Sequence, residues 1–156
     1  MHSSLRRVAR LLATTLATCT AVAALPATAP AEASTMTFRQ HAVQIAAAHK
    51  GDPYVYGAAG PHRFDCSGFT LYVYRQVGKS LVHNAEGQYR QTLHVAKSDK
   101  RVGDLIFYTS NGRASGITHV AIYAGNGYTW VAPHSGSNVH KQAIYTSHYL
   151  VGRVRG

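Results

Sequence analysis

Acidic residues are scarce. Asp and Glu number 6 against 16 Lys and Arg in 156 residues, for a formal charge of +10 with neutral histidine. Such an excess favours polyanionic surroundings. The basic residues are scattered, so the charge is a diffuse field and not a recognition stripe. Cysteine is nearly missing, with Cys19 and Cys66 alone. No internal repeat is visible, and neither a P-loop nor a strand–G-x-G-x-x-G–helix unit appears, which removes the usual grounds for nucleotide binding. No H-E-x-x-H, C-x-x-C or tight histidine pair occurs, so neither a metal nor another cofactor is expected.

The N-terminal segment is not expected to belong to a mature protein. Arg6, Arg7 and Arg10 are followed by Leu11 to Leu25, fifteen residues without charge. That run is short for a membrane span, which takes about 20 apolar residues. Ala31-Glu32-Ala33 then offers an A-x-A site, so residues 1–33 read as a secretory signal peptide and 34–156 as one domain. Cutting after Ala29 is less favourable, because Pro30 follows. Leu16-Ala17-Thr18-Cys19 loosely resembles a lipoprotein box, with Thr18 a poor residue before the cysteine. Removing three arginines and Glu32 takes the charge from +10 to +8. Export argues against a nucleic-acid partner and for an anionic cell envelope. It also leaves Cys66 without an intramolecular disulfide partner.

Residues 38–50 carry Ala42, Ile45, Ala46 and His49 at helical spacing, and Gly51, Asp52 and Pro53 end the run. A second helix is expected from Cys66, with Asp65 as N-cap, Phe69, Tyr72, Val73 and Gln76 on one face, and Gly78 as its stop. A third is expected near Asn84–Gln91. From residue 102 the texture turns to strands: 104–108, 117–123, 128–132, 138–145 and 149–155, with Gly125-Asn126-Gly127 as a hairpin turn. Helices first and an antiparallel meander second give an α+β domain.

Cys66 is open to two readings. Free cysteines are commonly buried as small hydrophobes. Against that, the first turn of a helix favours a thiolate, and Gly68 leaves room, on this reading, for a substrate backbone. His119 interrupts an apolar, alternating strand. It is either a hydrogen-bonded core histidine or the base of a thiol–imidazole pair, whose imidazolium would stabilise the thiolate.

Four stretches, "GDPYVYGAAG" (51–60), "FDCSGF" (64–69), "VGDLIFY" (102–108) and "THVAIYAGNG" (118–127), together resemble the NlpC family of bacterial cell-wall cysteine peptidases. The resemblance implies a papain-like α+β fold, with N-terminal helices on a central antiparallel sheet of about five to six strands. It implies a thiol protease that cuts peptidoglycan stem peptides, usually at the γ-D-glutamyl–diamino acid bond; with the signal peptide, a secreted enzyme is expected, and a monomer. It makes Cys66 the nucleophile and His119 the general base, and places Tyr54, Asp65 and Ser67 along the substrate cleft, with Asp65 suited to a stem-peptide amine. The family's third polar residue, which orients the base, falls on Val131. His134, three residues on and of opposite strand parity, is the nearest replacement. The family's "LPR-S" element reads "LVHNA" here, which puts bond specificity in question. Two other readings stay open: an amidase using the same pair, and a wall-binding module whose catalytic machinery has decayed.

Overall fold

The computed structural model describes residues 36–156. The expected signal peptide and Cys19 lie outside the described residues. Helix α1 spans Phe38–Ala48 and opens with a capping box, in which Thr37 and Gln40 satisfy each other's backbone N–H groups. Its alanines 42 and 46 are fully buried, so small side chains let α1 sit close to the rest of the core. Gly103 shows how close: a Cβ there would stand 2.5 Å from the Cβ of Arg39. Helix α2 spans Cys66–Gln76. Asp65 caps it, accepting the Gly68 N–H at 2.7 Å, and Gly78 ends it with φ +74°. Helix α3, Ala85–Gln91, is capped by Asn84.

Six antiparallel strands follow: β1 Leu93–Val95, β2 Leu105–Thr109, β3 Ile117–Gly125, β4 Tyr128–Val131, β5 His140–Ala143 and β6 Tyr149–Arg153, in the order β1-β6-β2-β3-β4-β5. Side chains alternate across the sheet. Leu105, Phe107, Val120, Ile122 and Trp130 pack with Ala42, Phe64, Phe69 and Val73 of the helical layer. Ile106, Tyr108, Ala121, Val131 and Tyr149 form a second apolar layer on the other side. Every residue of β2 is therefore buried, which is why it reads as a continuous apolar run rather than an alternation. At the sheet's end, fully buried Asp104 is clamped by Arg153 through two hydrogen bonds of 2.8 and 2.7 Å.

The α+β expectation holds, with three helices on a six-stranded sheet. Two details differ from it. Strand β1 was not expected, because Leu93 and His94 are exposed and the strand exists through pairing with β6. The expected strand at 138–145 shortens to β5, since Val139 instead bonds Asp52 and Gly51 of the loop after α1.

Candidate functional site

Asp65 and Cys66 are fixed by the start of α2. The N-cap carboxylate accepts from Gly68 N–H (2.7 Å), Gly57 N–H (2.9 Å) and the Ser67 hydroxyl (3.2 Å). The loop after α1 is thereby tied to the helix. Gly68 is needed for the same closure, because a Cβ there would meet the Ala58 carbonyl oxygen at 2.1 Å. This corrects the sequence reading: Gly68 makes room for the chain's own loop, not for a substrate backbone. A fourth donor comes from elsewhere. His83 Nε2 lies 2.9 and 2.8 Å from the two Asp65 oxygens.

Cys66 is the first residue of α2 and is half-buried. It lines a cleft of about 470 Å³ with Tyr54, Asp65, Ser67, His83 and Thr118. Burial pushes its thiol up from the ordinary range, and the neighbouring Asp65 carboxylate adds to that. Hydrogen bonds from the Val120 backbone and from the first turn of α2 pull the other way. The expectation of a thiolate favoured by the helix terminus is thus reversed at rest, because exclusion of water outweighs the terminal N–H groups. Tyr54 stands close enough that its own hydroxyl is raised by burial, then by Cys66 and Asp65.

Val120 follows His119 on β3, so the thiol meets the strand one residue from the candidate base. The His119 ring stacks on Tyr108 at 5.7 Å and 28°, and Tyr108 stacks on Tyr145 at 4.8 Å. Burial, and then the nearby His134, push its pKa down to about 4. Its Nε2 is buried and reaches no hydrogen-bond partner among the described residues. Val131 is fully buried in the apolar layer that contains Tyr108 and offers that nitrogen nothing. His134 lines a cavity of about 300 Å³ together with His119, His140 and Tyr145. Its Nδ1–H donates to the Ser135 carbonyl at 2.9 Å, so that nitrogen is committed to its own turn. Thr118 borders both this cavity and the Cys66 cleft.

The structure thus brings Tyr54, Asp65, Ser67 and Cys66 to one cleft, and sets His119 and His134 at an adjoining cavity. His83 was missed as a site residue. Its only signal was the departure of "LVHNA" from the family pattern at the place of an arginine.

A sequence profile of the NlpC/P60 family matches residues 51–154. The chain belongs to the NlpC/P60 family. "Probable endopeptidase p60" of Listeria grayi is 44% identical over 107 residues, covering 67% of this chain and 20% of its own length. "Peptidoglycan endopeptidase RipA" of Mycolicibacterium smegmatis is 40% identical over 110 residues, covering 62% of this chain and 21% of its own. The chain therefore spans about a fifth of these relatives. The crystal structure of the NlpC/p60 domain of peptidoglycan hydrolase SagA superposes with a TM-score of 0.68 at 33% identity, covering 74% of this chain and 98% of that one. For an NlpC/P60 chain, "FDCSGF" and "THVAIY" are the stretches where the resemblance and the two neighbouring cavities coincide.

Proposed function

We propose that this NlpC/P60 domain is a peptidoglycan hydrolase of the cysteine endopeptidase kind, exported and acting as a monomer in the anionic cell envelope. The observation that carries the reading is the placement of Cys66: a half-buried thiol at the head of α2, on a cleft, against β3 one residue from a buried imidazole. The names of the relatives support the substrate class.

In this reading Cys66 is the nucleophile and His119 the base. Burial keeps the thiol protonated and the imidazole neutral at rest. The proton therefore passes from Sγ to His119 as the sulfur attacks the stem-peptide carbonyl, rather than through a preformed ion pair. The oxyanion faces the Cys66 N–H, which at the first helical position has no intrahelical partner. The imidazolium then protonates the leaving amine, and water hydrolyses the thioester. Stacking on Tyr108 holds the ring in the absence of a polar residue at 131, and His134 shares its cavity. Tyr54, Ser67 and Asp65 receive the substrate. An amine that reaches Asp65 displaces His83, the donor that comes from outside the first turn of α2 and its loop. The bond cut is the γ-D-glutamyl–diamino acid bond.

Mass spectrometry of muropeptides digested by the protein tests this. Fragments ending in free γ-D-glutamate support the reading. Intact stems with free L-alanine would make it an amidase. The orphaned Nε2 of His119 and the buried Val131 favour one other reading, a decayed wall-binding module, which would bind peptidoglycan and release no fragment.

A further inference from the structure

Away from the Cys66 cleft, three ligating side chains meet at the end of α1. His49 is the C-cap of α1, Asp52 lies one turn on, and His62 sits near the far end of the loop that leads to α2. His49 Nδ1 is 2.7 Å from Asp52 Oδ2, and His62 Nδ1 is 3.8 Å from the same oxygen. All three ligand atoms lie within 4.8 Å of one another. The loop's own closure produces this meeting. Val55 N–H donates to the Phe64 carbonyl at 2.9 Å, and Phe64 N–H donates to the Pro53 carbonyl at 3.2 Å. Those bonds fold the loop back and bring its two ends together. The His49 ring is held edge-on by Phe64 and Tyr72, each at 5.1 Å. The His62 side chain is 80% exposed.

Two imidazoles and one carboxylate are a nitrogen-rich set that suits Zn²⁺ over Mg²⁺ or Ca²⁺. Tetrahedral zinc with bonds of about 2.0–2.2 Å sets its ligand atoms about 3.4 Å apart. His49 and Asp52 need to open by less than about an ångström and His62 to close on Asp52 by about half that, while the two imidazoles, within 4.8 Å of each other, close by at most about 1.4 Å. We propose that His49, Asp52 and His62 form a zinc site with an open fourth position, and that zinc clamps loop 51–64 against α1. The same loop carries Tyr54, Tyr56 and Gly57 of the cleft, so the clamp stiffens one wall of it. The proposal goes beyond the peptidase reading and stands without it.

Calorimetric titration of the chelator-stripped protein with zinc chloride tests it. The expected result is one saturable site whose affinity falls at least about tenfold in His62→Ala and is unchanged in His41→Ala, an exposed histidine of α1 outside the cluster. Hydrogen exchange across residues 51–64 should slow with zinc in the parent and not in His62→Ala. His62 is exposed enough that its loss leaves the fold intact, which equal melting temperatures without metal would verify. Equal affinity in parent and His62→Ala, or only weak binding spread over many histidines, would overturn the proposal.

Discussion

Acidification should destabilise this domain through His119 specifically. Its folded pKa of about 4 lies below the 6.5 of a free histidine. Between those values the unfolded chain holds a proton that the folded one refuses, so stability rises with pH across the window and is lost as pH falls through it. At 1.36 kcal/mol per pH unit, the displacement amounts to about 3 kcal/mol. That is a large share of the 5–15 kcal/mol typical of a domain. The perturbation that isolates it is His119→Gln, which keeps a polar side chain of similar reach and cannot titrate. Urea unfolding of both proteins at about pH 7 and about pH 4 gives the double difference, in which every other titrating group cancels. The parent should lose about 3 kcal/mol more than the variant on acidification. Equal losses would mean that His119 is not held neutral by burial, and the resting state described for the site would be wrong.

Alkylation of Cys66 by iodoacetamide should be slow near neutral pH and climb through the alkaline range, because burial and Asp65 raise the thiol; a plateau reaching below pH 7 would show a preformed thiolate. Val131→Asn places an amide in the apolar layer that holds Tyr108 and Ala121, where the resemblance puts an orienting residue, and is expected to raise kcat severalfold while costing about 1–2 kcal/mol for the polar burial; an unchanged kcat would show that stacking on Tyr108 already orients the ring. Asp65→Ala removes the α2 cap and leaves the buried Gly68 N–H without its acceptor, at about 1–3 kcal/mol. A melting temperature lower by roughly 4–12 °C is expected in Asp65→Ala, with Asp65→Asn, an equally good cap, recovering most of it; no change in Asp65→Ala would refute the capping role.

What the sequence disclosed and what it hid follow from the range of the forces involved. Asp65 as a cap and Cys66 as the first helical residue are local, written in one turn of chain and an apolar spacing after it. Val131 was singled out only by the resemblance, which sets the family's third polar residue twelve positions past His119; no local spacing rule points to it, and the β3–β4 pair carries a register shift between Tyr123 and Gly125. His83 on Asp65 was not legible, since that contact joins segments 18 residues apart and no spacing rule governs it. The reason for Gly68 lay in Ala58, across a loop. The direction of the Cys66 shift was misjudged because helix position is visible in sequence while burial is a property of the whole fold. The meeting of His49, Asp52 and His62 likewise depends on how the loop closes. Strand β1 was hidden because its partner, not its composition, makes it a strand.

The central claim is that Cys66 performs nucleophilic chemistry on peptidoglycan. Its most direct test is the release of soluble muropeptides from purified peptidoglycan by the parent and by Cys66→Ala, with circular dichroism to verify that both are folded. The account predicts fragment release by the parent and none above background by the variant. Equal release by the two proteins would contradict it.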